Sequence, residues 1–132
     1  MRMPMTAEDI IVGIFYHLRQ ADCEKVTADR EILHRAFFKA KVDFPQVMKM
    51  FSFRQRELFP ESVQLDQALS NLDATGLISR QNVTPRYYRF EQPLTTSYKR
   101  FSEKILDKAG IAEEDIRRVA NEIQRLTSSN PQ

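Results

Sequence analysis

The chain contains little cysteine, histidine or glycine: one, two and three residues among 132. A single cysteine, Cys23, excludes a disulfide within the chain and favours a reducing, cytoplasmic location. Two histidines and one cysteine are too few for a convincing zinc site, and three glycines make a glycine-rich phosphate loop implausible. Because the sequence also has no nucleophile elbow or paired metal motif, we expect a protein that is not an enzyme and uses no cofactor or metal.

Long apolar runs are also missing. No stretch approaches the roughly 20 apolar residues that are needed to cross a bilayer. Near the start of the chain, Glu8 and Asp9 interrupt a segment that could otherwise pass for a signal peptide. We therefore expect a soluble, cytoplasmic protein with no membrane partner.

Neither sign of charge dominates the composition. Lysine and arginine total 20 and aspartate and glutamate total 18, which gives a formal charge of +2 and a pI near 8.8. The hydrophobic content of 42% is enough for one core, so we expect a single domain over residues 1–132. Any surface for nucleic acid must come from local clustering of positive charge.

Helical spacing of apolar residues predicts the first half of the fold. Thr6 is a suitable cap for a first helix, and Thr27 is a suitable cap for a second one with acidic residues in its first turn. Asp43 is predicted to open a third, short helix, in which Pro45 is tolerable because the first-turn amides have no helical partner. The segment between the first two helices, residues 20–25, is predicted to be a polar break.

The clearest signal begins at Ser62. This residue can cap a helix whose apolar positions share one face, and Gly76 can end it in the left-handed conformation. Residues 77–81 and 87–91 are short and rich in β-branched or aromatic side chains, and a polar turn separates them, so we predict a hairpin. Thr95 or Thr96 is expected to cap the next helix, with Tyr98, Phe101 and Ile105 facing inward and Gly110 at its end, and a final helix follows.

This order of helix, glycine, apolar pair and hairpin, written LDQALSNLDATGLISRQNVTPRYYRF, resembles the recognition helix and wing of the winged helix-turn-helix superfamily of DNA-binding regulators. In that superfamily the leucines, here Leu69 and Leu72, pack the helix onto the domain, and the glycine, here Gly76, ends it. The resemblance implies a mostly α-helical fold with a small β-hairpin. Its core lies at about residues 6–94, and added C-terminal helices cover about 95–127. This sequence departs from the pattern at residues 42–61, which expand the connector between the two motif helices.

The resemblance implies that the helix from Ser62 enters the major groove of duplex DNA. Gln67 and Asn71 lie four residues apart on one face, and their amides can pair with an adenine edge. However, residues 61–76 contain three acids and no lysine or arginine, so a solvated polar face is the alternative interpretation of this helix.

Positive charge flanks the helix instead. A basic wing could straddle the phosphate backbone, or its arginines could simply be solubilising. The residues predicted to contact nucleic acid through their positive charge are Arg54, Arg56, Arg80, Arg86, Arg89, Lys99 and Arg100.

Two further apolar groups have open interpretations. The final helix can form a homodimer interface through Ile116, Val119, Ile123 and Leu126, or it can pack on the first helix of its own chain. A dense set of aromatic, valine and methionine side chains around the connector can be core, an effector pocket or a surface for a partner protein. The set comprises Phe37, Phe38, Phe44, Val47, Met48, Met50, Phe51 and Phe53.

The sequence therefore predicts a DNA-binding protein, in the form of a dimeric transcriptional regulator that contacts duplex DNA through a basic wing. The alternative is a protein–protein interaction module with no affinity for DNA. His17 and His34 are expected to be structural residues.

Overall fold

A computed structural model describes residues 6–102 and 110–127. Within these ranges the chain is mostly helical, with a small antiparallel sheet of three strands in the order β1-β3-β2. The helices are α1 (Ala7–Gln20), α2 (Arg30–Asp43), α3 (Val63–Ala74), α4 (Pro93–Phe101) and α5 (Glu113–Thr127). The strands are β1 (Lys25–Thr27), β2 (Ile78–Gln81) and β3 (Tyr87–Phe90).

Helix α1 lies at the centre of the fold and begins as predicted. The Thr6 hydroxyl accepts the Asp9 amide at 3.2 Å, and the Asp9 carboxylate accepts the Thr6 amide at 3.0 Å, so each residue satisfies a free backbone donor of the other. Its residues Ile10, Ile11, Ile14 and Phe15 have no exposed surface. Helices α3, α4 and α5 all pack on α1, so one cluster of buried side chains holds the described elements together.

The cap of α2 is Asp29, and the prediction of Thr27 is wrong. The Asp29 carboxylate accepts the Ile32 amide at 3.1 Å, while Thr27 ends a strand and its hydroxyl accepts the Asp29 amide at 3.1 Å. That strand, β1, was not predicted; it follows the polar break, which the structure shows as a turn and an irregular connector at residues 21–24. Strand β1 has three residues, of which only Val26 is buried, so it presents no alternating pattern that could be recognised in the sequence.

The predicted third helix is absent from the structure. Helix α2 ends at Asp43, and residues 45–50 form turns. One of these turns is closed by a hydrogen bond of 3.1 Å from the Met48 amide to the Phe44 carbonyl. The periodic apolar residues Val47, Met48 and Phe51 are nevertheless buried, because successive turns bring them to the core. Core packing therefore accounts for most of the aromatic and methionine set.

Helix α3 and the hairpin confirm the clearest sequence signal. The Ser62 hydroxyl accepts the Leu65 amide at 3.2 Å, and α3 buries Leu65, Ala68, Leu69 and Leu72 on one face. At its end, the Gly76 amide donates to the Asp73 carbonyl at 3.2 Å, and the Leu77 amide donates to the Leu72 carbonyl at 3.0 Å. This pair of bonds requires a left-handed residue after the helix, and Gly76 has a φ of 82°.

Helix α4 begins without the predicted threonine cap. Pro93 occupies its first turn, where a missing amide costs nothing, and its cap residue Gln92 makes no side-chain bond to the helix. Leu94 and Tyr98 are buried, as the spacing indicated for Tyr98. The predicted inward positions of the Phe101 side chain and of Ile105 lie outside the described residues. Gly110 has a φ of 71°, but the residues directly before it, where this helix was predicted to end, are also outside them.

Helix α5 packs on α1 and α2 of its own chain. Ile116, Val119 and Ile123 have no exposed surface, and Leu126 is half-buried against the same core. The interpretation of Ile116, Val119 and Ile123 as a homodimer interface is therefore corrected, because these side chains have no surface left for a second copy. Among the described helices, none combines the length and the apolar character that crossing a bilayer requires.

Candidate nucleic-acid interface

A polar cleft of about 230 Å³ lies where the start of α2, the outer side of α3 and the sheet meet. Its charged and aromatic lining residues come from separate elements that the fold brings together: Arg30, His34, Asp66, Asp73, Arg80 and Tyr88. Helix α3 contributes the two aspartates, so the cleft runs along the helix that was predicted to contact DNA.

Asp66 on α3 is held by two residues of α2. Arg30 donates from Nη2 to Oδ2 at 2.6 Å and from Nε to Oδ1 at 3.2 Å, and His34 Nε2 lies 2.9 Å from Oδ1. Partial burial disfavours the charged carboxylate, but the bonds from Arg30 and His34 outweigh burial and hold the pKa of Asp66 below its usual value. One of the acids that appeared to oppose DNA binding is therefore neutralised within the protein.

His34 has a defined neutral tautomer. The Ser62 amide donates to His34 Nδ1 at 3.0 Å, so the ring proton resides on Nε2, which donates to Asp66. The side chain is 1% exposed and connects the core of α2 to the cap of α3. His34 is thus a structural histidine, as expected, and one that orients a residue of the cleft.

Strand geometry divides the arginines of the hairpin between two faces of the sheet. Ile78 and Phe90 are buried, and because side chains alternate along a strand, Arg80 and Tyr88 lie on the same face as they do. Arg80 pairs with Tyr88 in the register, and both line the cleft. Arg89 is opposite Ser79 on the other face, so Arg80 and Arg89 do not share a surface.

Arg89 also differs from Arg80 in having an acidic partner. Its Nε lies 3.0 Å from the Glu91 carboxylate, which also accepts a hydrogen bond from the Ser79 hydroxyl. These bonds from Ser79 and Arg89 lower the pKa of Glu91. Arg89 is therefore largely neutralised on the face away from α3.

Tyr88 and Asp73 complete the wall of the cleft beside Arg80. Burial raises the pKa of the Tyr88 hydroxyl, which lies in the field of the Arg80 guanidinium. The Asp73 carboxylate accepts the backbone amide of Arg80 at 3.3 Å, which joins α3 to β2. The Arg80 side chain itself has no carboxylate within ion-pair distance among the described residues.

Two shallower depressions adjoin the cleft and share Arg30 with it. One is lined by Arg80 and Arg86 as well, and brings the hairpin tip beside the start of α2. The other is lined by Arg56, whose Nε lies 3.6 Å from Glu61. Arg30 also approaches Glu61, at 3.9 Å.

The remaining predicted contact residues are scattered. Arg54 is exposed on the connector, where its backbone pairs with that of Glu61. Lys99 and Arg100 are exposed on α4, a helix packed on α1, and neither residue lines the cleft or the two depressions beside it. The predicted positive cluster is thus divided among the cleft side, the opposite sheet face and α4.

The two amide side chains of α3 that were predicted to contact bases also differ. Gln67 is exposed, whereas Asn71 Nδ2 donates to the Glu8 carboxylate of α1 at 2.8 Å. Asn71 is therefore partly committed to holding α3 against α1. The paired readout of one base by Gln67 and Asn71 would require this bond to break.

Charge on the cleft side is mixed. Among described residues, the cleft and its two depressions are lined by four arginines, Arg30, Arg56, Arg80 and Arg86, and by six acids, Asp29, Glu31, Glu57, Glu61, Asp66 and Asp73. Arg30, His34 and Tyr88 belong to this site but were not among the predicted contact residues. Arg30 and Asp66 are 36 residues apart, so no local spacing could have indicated their pairing.

A second polar cluster joins α1, α4 and α5. The Tyr98 hydroxyl donates to the Glu113 carboxylate at 2.6 Å and lies 3.3 Å from His17 Nε2. The Tyr98 ring stacks on Tyr16 with 4.0 Å between centroids. Burial and the bond to Glu113 raise the pKa of Tyr98, so its hydroxyl stays protonated and connects α4 to α5 as a hydrogen-bond donor. No group of three or more potential metal ligands occurs among residues 6–102 and 110–127.

No protein-family model matches the sequence, and neither a curated protein nor a solved structure matches it significantly.

Proposed function

We propose that this chain is a winged-helix protein that binds duplex DNA through the cleft side of its hairpin. The element order supports the fold: two helices separated by a short strand, then a third helix, a left-handed glycine and a hairpin whose second strand pairs with the first strand. The observation that carries the DNA-binding proposal is the position of Arg80 and Arg86, which line a common depression with Arg30 and have no carboxylate within ion-pair distance among the described residues.

The proposed mechanism is electrostatic positioning. Arg80 and Arg86 contact phosphates from the wing, because unpaired arginines offer forked donors that match phosphate oxygens. The ion pair of Asp66 with Arg30, held in place by the hydrogen bond from His34, removes part of the repulsion from α3. Gln67 is the exposed amide left for a base edge, so affinity depends more on the backbone than on sequence.

Salt dependence of duplex binding tests this mechanism. The affinity of the parent for a labelled duplex is measured by fluorescence anisotropy between about 50 and 300 mM KCl. If Arg80 and Arg86 each neutralise one phosphate, the double variant Arg80→Gln/Arg86→Gln lowers the slope of log affinity against log salt by about 2. Glutamine keeps the apolar part of each side chain, so folding is retained.

Arg89→Gln is the matched control. It removes an arginine from the same hairpin, but from the opposite face and from an ion pair with Glu91, so it should leave the slope unchanged. If Arg89→Gln lowered the slope by half as much as Arg80→Gln/Arg86→Gln, net charge alone would account for the binding. No binding by the parent at low salt would reject the proposal.

An alternative function is a protein-interaction module without DNA affinity. Exposed apolar side chains favour it: Ile32, Phe38 and Val42 are 40%, 39% and 61% exposed on α2, and Leu58 on the connector is 72% exposed. If a second copy covers this surface, light scattering will show a dimer for the parent and a monomer for Phe38→Ser/Val42→Ser. That result, together with no duplex affinity in the parent, would replace the first proposal with this one.

A further inference from the structure

A separate cavity of about 440 Å³ lies at the hairpin tip, among β1, the loop of the hairpin and the end of α5. Its volume is within the range of small-ligand sites. Both sides of the hairpin loop contribute to it, and so does the end of the last helix. The cavity lining includes Cys23, Lys25, Val83, Arg86, Tyr87 and Thr127.

The cavity combines an apolar body with positive charge. Val83, Pro85 and the Tyr87 ring contribute apolar surface, whereas Lys25 and Arg86 are the charged members of its described lining, which includes no aspartate or glutamate. Lys25 Nζ lies 4.6 Å from the centre of the Tyr87 ring, which holds the ammonium against the apolar wall. The cleft beside α3 has mixed charge, so the two sites select different ligands.

We propose that this cavity binds a small amphiphilic anion, with an apolar body against Val83 and Tyr87 and a carboxylate between Lys25 and Arg86. A cation would meet two like charges there, and a fully polar anion would leave the valine and tyrosine surface uncompensated. Thr27 and Thr84 line the same cavity, and their hydroxyls can donate to a carboxylate, whereas the Thr127 hydroxyl already donates to the Ile123 carbonyl at 2.7 Å.

The position of Arg86 connects this site to the proposed DNA-binding surface. Arg86 lines both the cavity and the depression that it shares with Arg30 and Arg80. A carboxylate bound in the cavity recruits the Arg86 guanidinium and withdraws it from phosphate. The ligand therefore weakens duplex binding; this consequence rests on the proposed function, whereas ligand binding itself does not.

Calorimetric titration with naphthoate and naphthamide tests the site, because the two probes share one apolar body and differ in charge. The parent should bind naphthoate about tenfold more tightly than naphthamide. Lys25→Gln and Arg86→Gln should each remove most of this preference and leave the naphthamide affinity unchanged. Arg54→Gln, an exposed arginine outside the cavity lining, should change neither affinity.

The reactivity of Cys23 can show whether naphthoate binds in this cavity. It is the one cysteine of the chain, it lines the cavity and it is partly exposed, with Sγ 3.2 Å from the Lys25 carbonyl oxygen. Saturating naphthoate should slow its alkylation by iodoacetamide, a neutral reagent that does not compete for the cationic pair. In Arg86→Gln, the same naphthoate concentration should protect Cys23 less.

Several results would overturn this inference: equal affinity for both probes, no effect of Lys25→Gln and Arg86→Gln, or no protection of Cys23. Failure of this ligand site and failure of the proposed DNA binding give different results. If naphthoate binds and protects Cys23 but the parent has no duplex affinity, the site stands and DNA binding is rejected. If the parent binds duplex and naphthoate neither binds nor protects Cys23, the site is rejected and DNA binding stands.

Discussion

Arg30 and Asp66 join the start of α2 to α3 through two hydrogen bonds, of 2.6 and 3.2 Å. The pair converts an acid on the predicted recognition helix into part of a neutral interhelical contact. His34 binds the same carboxylate from the core side, so Asp66 cannot turn freely toward solvent. The electrostatic character of α3 therefore depends on α2, a relationship that the sequence of α3 alone does not contain.

The coupling between Arg30 and Asp66 is measurable with the variants Arg30→Met and Asp66→Asn. The two side chains are 51% and 41% exposed, so solvent screening limits the coupling in unfolding free energy to about 0.5–1 kcal/mol. Urea denaturation of both single variants and the double variant gives this value, and high salt should reduce it. The Arg35–Glu31 pair within α2 is the control, with an expected coupling of about 0.3–0.5 kcal/mol. A coupling near zero at low salt would contradict the assigned pairing.

Replacement of His34 should lower the unfolding free energy by much more than the coupling between Arg30 and Asp66. His34→Ala removes a buried ring and leaves the Ser62 amide without its acceptor, so we expect a loss of about 2–4 kcal/mol in unfolding free energy. His34→Asn keeps an oxygen near the position of Nδ1 and should lose less. Urea denaturation measures both, and equal losses would show that ring packing, rather than the bond to Ser62, provides the stability.

Gly76 tests the junction between α3 and the hairpin. Its φ is 82°, and a Cβ added there meets no atom within 4 Å, so Gly76→Ala is penalised only by the left-handed backbone, at about 1–2 kcal/mol. Gly76→Asn should cost less, because asparagine tolerates this conformation better. Thermal unfolding should give melting temperatures that decrease from the parent to Gly76→Asn and then to Gly76→Ala. An alanine variant as stable as the parent would contradict the left-handed assignment.

Local signals explain how much of this fold could be predicted. Thr6, Ser62 and Gly76 act through bonds within a few residues of themselves, so their roles follow directly from the sequence. The turns at 45–50 were predicted as a helix because buried residues in successive turns mimic helical spacing. Strand β1 was missed because its stability comes from pairing with β3, more than 50 residues later, as in the pair Lys25 and Arg89.

The candidate site was less predictable than the fold. Clustered arginines in the sequence indicated one basic surface, but their distribution depends on the strand register, which places Arg80 beside α3 and Arg89 on the opposite face. Which charges are free also depends on distant partners, such as Arg30 for Asp66. Composition could suggest a basic hairpin, but it could not assign its arginines to a face.

His17 should make the stability of the fold depend on pH. Burial lowers its pKa below 6.5, although the Glu113 carboxylate opposes the shift and Arg117 adds to it. The unfolded state therefore binds more protons as the pH falls below neutrality, so the stabilising contribution of neutral His17 is present above about pH 6.5 and is lost as the pH falls toward the lower native pKa.

We therefore expect His17→Gln to lose less unfolding free energy than the parent as the pH falls from about 7 to 5, because only the parent has the additional loss from His17. That loss cannot exceed about 1.4 kcal/mol per pH unit, and it accumulates between about pH 6.5 and the lower native pKa of His17. Glutamine keeps a donor for the Tyr98 oxygen, which His17 Nε2 approaches at 3.3 Å, so the connection between α1 and α4 is retained. Urea denaturation at several pH values measures the effect, and His34, present in both proteins, cancels in the comparison. Parallel pH profiles would show that His17 titrates alike in the folded and unfolded chains, and a steeper profile for His17→Gln would reverse the assigned sign.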